Sequence, residues 1–253
     1  MSTIYIDHRN APVERTTWRT LAVFAHTFTC SSRVVARSTL GRLEPEDVDA
    51  VVARWCGHVF RLSKASLSAE GEAAFDASRP YVLLSNHRSL LDIPAVCSTF
   101  PGRVRFVAKA ELRKVPMFGK AMEESGIIFV DRSDRARAIE ALRAASSLAS
   151  GGTSLWIAAE GGRSRDGTLG PFKKGPFHTA LQLQVPLLPV WIEGTDNVIP
   201  AGELASITGQ HVHVRYGTPI ETKGCTVDDI PRLMEASRHA LVALGQAPVR
   251  LPL

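Results

Sequence analysis

From about residue 66 onward, short apolar runs alternate with stretches of helical periodicity, and few architectures accommodate that pattern. Repeated strand–helix–strand units wind around a mostly parallel sheet, because each crossover helix has to cover one of its faces. The predicted strands are Tyr81–Ser85, Val104–Ala108, Ile127–Val130, Ser154–Ala158, Leu187–Ile192 and Val212–Tyr216. A helix predicted over Ser133–Ser150 turns Ile139, Leu142 and Leu148 inward and stops at Gly151-Gly152. A last helix is predicted over Val227–Leu244. The expected class is α/β, with a mostly parallel central sheet flanked by helices over residues 66–253.

The first 65 residues follow a different rule. Trp18, Leu21, Ala25 and Phe28 recur at helical spacing between Arg15 and Arg42, as one amphipathic helix or a broken pair. Pro45 suits a first helical position, with Glu46 and Asp47 in the first turn and a second stripe of Val48, Val52, Trp55, Val59 and Leu62. Residues 1–65 are thus expected to form an N-terminal helical hairpin. Two readings of it stand side by side. It is a basic, aromatic-bearing surface that lies in a bilayer interface, with Arg15, Arg19, Arg33, Arg37 and Arg42 meeting lipid phosphates; or it is two striped helices packed on the core. The run Leu21–Cys30 is broken by His26, Thr27 and Thr29, well short of the roughly 18–20 apolar residues a membrane span needs. Met1–Asn10 lacks the basic-then-apolar pattern of a secretory signal. The expected location is cytoplasmic, peripheral to the inner face of the cell membrane.

The charge balance, 30 basic against 25 acidic residues, suits anionic lipid, nucleic acid or a phosphorylated small molecule without choosing among them. Nucleic acid is not expected, since the arginines are dispersed and no binding motif occurs. Cys30, Cys56, Cys97 and Cys225 form no C-x-x-C pair, which argues against a disulfide framework and a zinc knuckle. His211 and His213 alternate on a predicted strand but lack a third ligand at workable spacing, so no metal is expected. Trp156 and Trp191 read as core. The absence of G-x-S-x-G disfavours a serine hydrolase.

Directly after the first predicted strand comes Ser85-Asn86-His87-Arg88-Ser89-Leu90-Leu91-Asp92. In open α/β sheets that edge is where ligands bind. Five residues subtend about 140° on an ideal helix at roughly 100° each, so His87 and Asp92 do not share a face of one helix. His87 is expected just before a helix and Asp92 within its first turns. From there the carboxylate would fix the imidazole tautomer, so that the other ring nitrogen takes a proton from an alcohol. The alternative is a histidine that merely caps or bonds locally.

Four ordered segments together resemble the glycerolipid acyltransferases that acylate lysophosphatidate and glycerol 3-phosphate. That family's N-H-x4-D is matched by Asn86, His87 and Asp92. Its glycine, apolar strand and basic end are matched by Gly126-Ile127-Ile128-Phe129-Val130-Asp131-Arg132. Its F-P-E-G-T-R-S corresponds to Ala158-Ala159-Glu160-Gly161-Gly162-Arg163-Ser164, and its apolar segment with two prolines to Val185-Pro186-Leu187-Leu188-Pro189-Val190. Lys109-Ala110-Glu111-Leu112 and Phe172-Lys173-Lys174-Gly175 are also similar to family sequence, so the likeness spans about Tyr81 to Gly194. In the third segment Ala158, Ala159 and Gly162 replace Phe, Pro and Thr, which bears on acceptor identity more than on the reaction.

The resemblance implies an acyltransferase in which His87 is the general base and Asp92 orients it, with Asn86 beside them. It implies oxyanion donors among the backbone N–H groups of Glu160, Gly161 and Gly162, and an acceptor phosphate gripped by Lys109, Arg132 and Arg163. Lys173 and Lys174 read as an exposed basic pair. The implied partners are a lysophospholipid acceptor, acyl-CoA or acyl-carrier protein as donor, and a membrane surface, with no cofactor. The implied product is phosphatidic acid from 1-acyl-sn-glycerol-3-phosphate. The alternatives are another lysolipid acceptor, such as a lyso-ornithine lipid, and a non-catalytic, basic membrane-surface binding protein.

Overall fold

A computed structural model describes residues 3–8, 10–130, 135–164, 167–200, 202–203 and 205–247. The chain opens with a short strand β1 (Thr3–Ile6) and a two-residue strand β2 (Arg15–Thr16). Two helices follow, α1 (Thr17–Thr39) and α2 (Pro45–Ser63). The stretch left open as one helix or two is a single helix, α1. Helix α2 starts where Pro45 and the acids predict, through a capping box between Glu44 and Asp47 that satisfies otherwise orphaned N–H groups.

Next come β3 (Ser66–Glu70), β4 (Val82–Ser85), α3 (Asp92–Thr99), β5 (Val104–Lys109), α4 (Phe118–Glu124), β6 (Ile128–Val130) and α5 (Arg135–Ser150). The chain then runs through β7 (Ser154–Ala158), α6 (Gly175–Leu183), β8 (Leu187–Glu193) and α7 (Thr195–Val198). It closes with β9 (Ser206–Ile207), β10 (His211–Tyr216) and α8 (Ile230–Gln246). All six predicted strands are present. The last helix begins three residues later than predicted, because Val227–Asp229 form a 3-10 turn closed by a Thr226–Asp229 capping box.

Eight strands form one sheet in the order β1-β3-β10-β8-β4-β7-β5-β6. The pairs β8-β4, β4-β7, β7-β5 and β5-β6 are parallel, as is β3-β10, whereas β10-β8 and β1-β3 are antiparallel. The class is α/β, as the pattern required. Strand β3 was not anticipated; its Ser-Leu-Ser-Ala-Glu lacks the β-branched and aromatic residues that mark strands.

Alternation along the strands builds two cores. Leu83, Trp156, Leu188 and Ile192 face Val59 and Phe60 of α2 and Ala95 and Val96 of α3. Val82, Leu84, Leu187 and Trp191 face Phe177 and Leu181 of α6 and Leu233 and Leu241 of α8. A parallel sheet needs this cover on both sides, since polar residues cannot occupy either face of its central strands. At about 1.5–3 kcal/mol for each fully buried large apolar side chain, the central strands anchor everything at their ends. The predicted inward residue Leu148 is half-buried against Ile128, Ala145 and Leu155; the side chains of Ile139 and Leu142 lie outside the described set.

Helix α1 packs on α2 and α4, and α2 also packs on α3. The second stripe faces inward, with Val48 and Val59 buried. The first does not: Trp18 is 57% exposed, Leu21 64% and Phe28 59%, with Phe24 at 47% beside them. No described helix is long and apolar enough to cross a membrane.

Candidate active site

Strand β4 lies between β7 and β8, and all three run parallel. In register, Ser85 at the end of β4 pairs with Ala158 of β7 and Val190 of β8. The loops leaving these three strands therefore gather at one sheet edge, bringing together Asn86-His87 after β4, Glu160 to Arg163 after β7, and Thr195 after β8.

Asn86 fastens this edge. Its side-chain amide donates to Ile192 O at 2.7 Å, and its oxygen accepts from Ile192 N–H at 2.8 Å. It is 2% exposed, so it acts as a strap between β4 and β8. Ser85 Oγ receives the Trp156 indole N–H at 2.9 Å and donates to Asn86 O at 2.6 Å. Trp156 is buried, as expected, and its ring stands edge-on to the His87 imidazole at 5.3 Å.

The His87–Asp92 pair has the expected form. Helix α3 begins at Asp92, leaving His87 in the loop before it. His87 Nδ1 lies 2.6 Å from Asp92 Oδ2. The same oxygen accepts the backbone N–H groups of Arg88 at 2.7 Å and Ser89 at 3.0 Å. The other, Oδ1, accepts the hydroxyl of Thr195, at the start of α7. The carboxylate is fully buried, while the histidine side chain is 13% exposed. A carboxylate whose oxygens accept that many hydrogen bonds has no freedom to turn. It accepts the hydrogen bond of Nδ1–H and leaves Nε2 as the nitrogen with a free lone pair.

Thr195 was not anticipated. It is 103 positions from Asp92, and only the β4-β8 pairing joins them. The turn that delivers it demands glycine: Gly194 has φ +84°, and a Cβ there would stand 2.1 Å from His211 O. Arg88 was also missed. Its guanidinium donates to Gly167 O at 2.5 Å and lies over Trp191 at 5.4 Å, binding the loop after the third motif to the loop that carries His87.

The third motif reaches the dyad directly, because Ser164 N–H donates to His87 O at 2.7 Å. Gly161 takes φ +73°, which favours glycine, and its N–H donates to Ala158 O at 3.0 Å to close the turn. That engagement removes it as an oxyanion donor in this conformation and leaves the amides of Glu160 and Gly162 from the predicted trio. A Cβ on Gly162 would meet nothing within 4 Å, so steric need does not explain glycine where the family has threonine. Glu160 Oε2 accepts Gly170 N–H at 2.8 Å, while Oε1 is buried without a partner among the described residues. One Glu160 oxygen therefore holds the loop.

Lys109 ends β5 and Arg163 follows β7; both are exposed at the edge that carries His87. Arg132 lies outside the described residues. His211 and His213 both bond to Ser68 Oγ, at 2.8 and 2.7 Å. No group of three metal-ligating side chains occurs among the described residues. Burial pushes His213 below the ordinary imidazole range, Glu70 pulls the other way, and Arg215 adds to the depression.

A family model described as Acyltransferase matches residues 66–193. Over 188 residues the chain is 34% identical to human 1-acyl-sn-glycerol-3-phosphate acyltransferase alpha, covering 74% of this chain and 66% of that protein. It is also 34% identical to the 1-acyl-sn-glycerol-3-phosphate acyltransferase of Saccharomyces cerevisiae over 196 residues, 76% of this chain and 64% of that one. The chain thus spans just under two thirds of the length of these relatives. The crystal structure of the 1-acyl-sn-glycerophosphate (LPA) acyltransferase from Thermotoga maritima superposes with a TM-score of 0.72 at 26% identity, covering 92% of this chain and 96% of that one.

Proposed function

The chain belongs to the acyltransferase family, and on that basis we propose that it moves a fatty acyl group from acyl-CoA or acyl-carrier protein to the free hydroxyl of 1-acyl-sn-glycerol-3-phosphate, giving phosphatidic acid. The observation that carries this reading is the His87–Asp92 pair, locked by four hydrogen bonds to a buried carboxylate.

Nε2 of His87 removes the proton of the acceptor hydroxyl as its oxygen attacks the thioester carbonyl. Asp92 holds the ring and stabilises the imidazolium that forms. The tetrahedral intermediate carries its charge on the former carbonyl oxygen, for which the Glu160 and Gly162 amides are the proposed donors. Collapse expels the thiolate, which takes the proton back from His87. No acyl-enzyme forms and no cofactor is needed, since both reactants are substrates. Lys109, Arg132 and Arg163 are the proposed grip on the acceptor phosphate, Arg for its two-pronged geometry.

The acceptor resides in a bilayer, and the exposed row Trp18, Leu21, Phe24 and Phe28 on α1, with Arg15 and Arg33 near its ends, supports a peripheral seat on an anionic membrane. The proposed location is the inner face of the cell membrane. The test is thiol release from oleoyl-CoA with lysophosphatidate and a panel of other lysolipids, comparing wild type with His87→Ala. Release that requires lysophosphatidate and disappears in the folded variant is expected; release independent of His87 refutes the reading. Preference for a lysolipid without phosphate would move the acceptor assignment while keeping the chemistry.

A further inference from the structure

Arg88 touches all three loops that gather at the sheet edge carrying His87. It belongs to the loop after β4, where its own N–H donates to Asp92 Oδ2 at 2.7 Å. Its guanidinium donates to Gly167 O at 2.5 Å in the loop after β7. The same group stands 3.8 Å from Asp196 Oδ2 in α7, after β8, and lies over the Trp191 ring at 5.4 Å. The side chain is 20% exposed. A planar fork of donors serves partners on two loops at once, where an ammonium offers a single point of charge.

The loop after β7 is closed at its base, where Lys173 N–H donates to Ala159 O at 2.8 Å. Its far limb is held from α8, as Arg238 donates to Leu169 O at 2.9 Å and to Gly170 O at 2.8 Å. Its near limb continues from Arg163, with Ser164 N–H on His87 O at 2.7 Å and Arg88 on Gly167 O. The side-chain contact lies beyond the backbone one, and two fixed points set the direction of a limb as well as its position. Both points belong to consecutive residues, His87 and Arg88, so the near limb is referenced to the dyad itself. We infer that Arg88 is a positioning residue for acyl transfer: it holds the near limb so that Arg163 faces the phosphate of an acceptor whose hydroxyl is at His87. The inference rests on the acyltransferase reading above. Arg88 acts through Arg163 rather than on the substrate, since its guanidinium is engaged by Gly167, Asp196 and Trp191.

The test is steady-state kinetics with oleoyl-CoA and lysophosphatidate on wild type, Arg88→Met, Arg163→Ala and the double variant, with thermal denaturation of each. Losing a hydrogen bond to a charged group corresponds to about tenfold or more in affinity. Arg88→Met is therefore expected to raise the KM for lysophosphatidate about tenfold and to leave that for oleoyl-CoA within about twofold. Arg163→Ala raises the acceptor KM at least as much. In the double variant the two losses do not multiply, because without Arg163 there is nothing left for Arg88 to place; the acceptor KM rises no more than about twofold beyond that of Arg163→Ala alone. A side chain that only supports the fold would add its loss in full. Multiplying losses, an unchanged acceptor KM in a folded Arg88→Met, or a wild-type acceptor KM in Arg163→Ala each overturn the inference. Arg88→Lys keeps the charge and gives up the fork; if Arg88→Met does not fold, the same cycle is run with Arg88→Lys and judged by the same outcomes. Wild type without His87-dependent thiol release sinks the acyltransferase reading itself, and that is settled before any Arg88 variant is compared.

Discussion

Thr195→Val removes one oxygen and almost nothing else. Threonine and valine have nearly the same shape, and Thr195 is fully buried, so the packing around α7 changes little. What disappears is the hydroxyl donated to Asp92 Oδ1. The other carboxylate oxygen keeps its three donors, His87 Nδ1 and the N–H groups of Arg88 and Ser89. Held on one side only, the carboxylate gains freedom about its Cβ–Cγ bond, and the imidazole gains it too.

A hydrogen bond to a charged group is worth about 1.5–3 kcal/mol net. If that interaction serves to hold the dyad in its reactive pose, the loss falls on the transition state, and kcat drops about ten- to a hundredfold at about 1.4 kcal/mol per decade. KM for both substrates stays within about twofold, because no substrate-gripping group has moved. Thr195→Ser keeps the hydroxyl and is expected to recover most of the rate. Steady-state kinetics with thermal denaturation of the same samples is the assay. Wild-type kcat in Thr195→Val refutes a positioning role. A Thr195→Ser variant as slow as Thr195→Val shows that the methyl group, and so packing, was what mattered.

Other consequences are separable. Asn86→Ala leaves the buried Ile192 N–H and C=O without their partner and should cost about 2–6 kcal/mol at about 1–3 for each stranded group, read as a lower midpoint in urea unfolding; an unchanged midpoint would mean the strap is dispensable. His213 stays neutral in the fold below its ordinary value of 6.5, mainly through burial, whereas the unfolded chain takes up that proton, so stability falls as pH drops through about 6.5. His213→Gln should flatten the decline, and an unaltered pH dependence of Tm would exclude this residue as its source. Replacing Trp18, Phe24 and Phe28 together by serine should abolish flotation with anionic vesicles while leaving the circular dichroism spectrum intact; retained flotation would place membrane contact elsewhere.

The six predicted strands were legible because Val, Ile, Leu and aromatic residues mark them against polar surroundings. Strand β3 was not, since it joins the sheet through Leu67 and Ala69, alternating with Ser66, Ser68 and Glu70. Those polar residues are intelligible only beside β10, where Ser68 meets both His211 and His213, and Glu70 meets Arg215. A pair of alternating histidines with no third metal ligand at workable spacing becomes intelligible as a hydrogen-bonded seam once the neighbouring strand is known. The exposed stripe of α1 shows the same limit from the other side: periodicity reveals that a helix has an apolar face, and only packing tells which way that face points.

The catalytic motif divides along the same line. His87 and Asp92 are near in sequence, and their spacing alone placed one before the helix and the other at its start. The contacts that fix their geometry come from 103 and 106 positions away, through Thr195 on Asp92 and Ile192 on Asn86. Both arrive because β8 pairs with β4. Strand order also ranks the cations. The end of β7 adjoins β4, the end of β5 lies two strands away and β6 three, at about 4.8 Å per strand spacing. On the proposed reading, a phosphate only a few bonds from a hydroxyl held at His87 would come within reach of Arg163 after β7 before Lys109 at the end of β5. The motifs name the chemical groups; the position of β4 between β7 and β8 decides which of them share one substrate molecule.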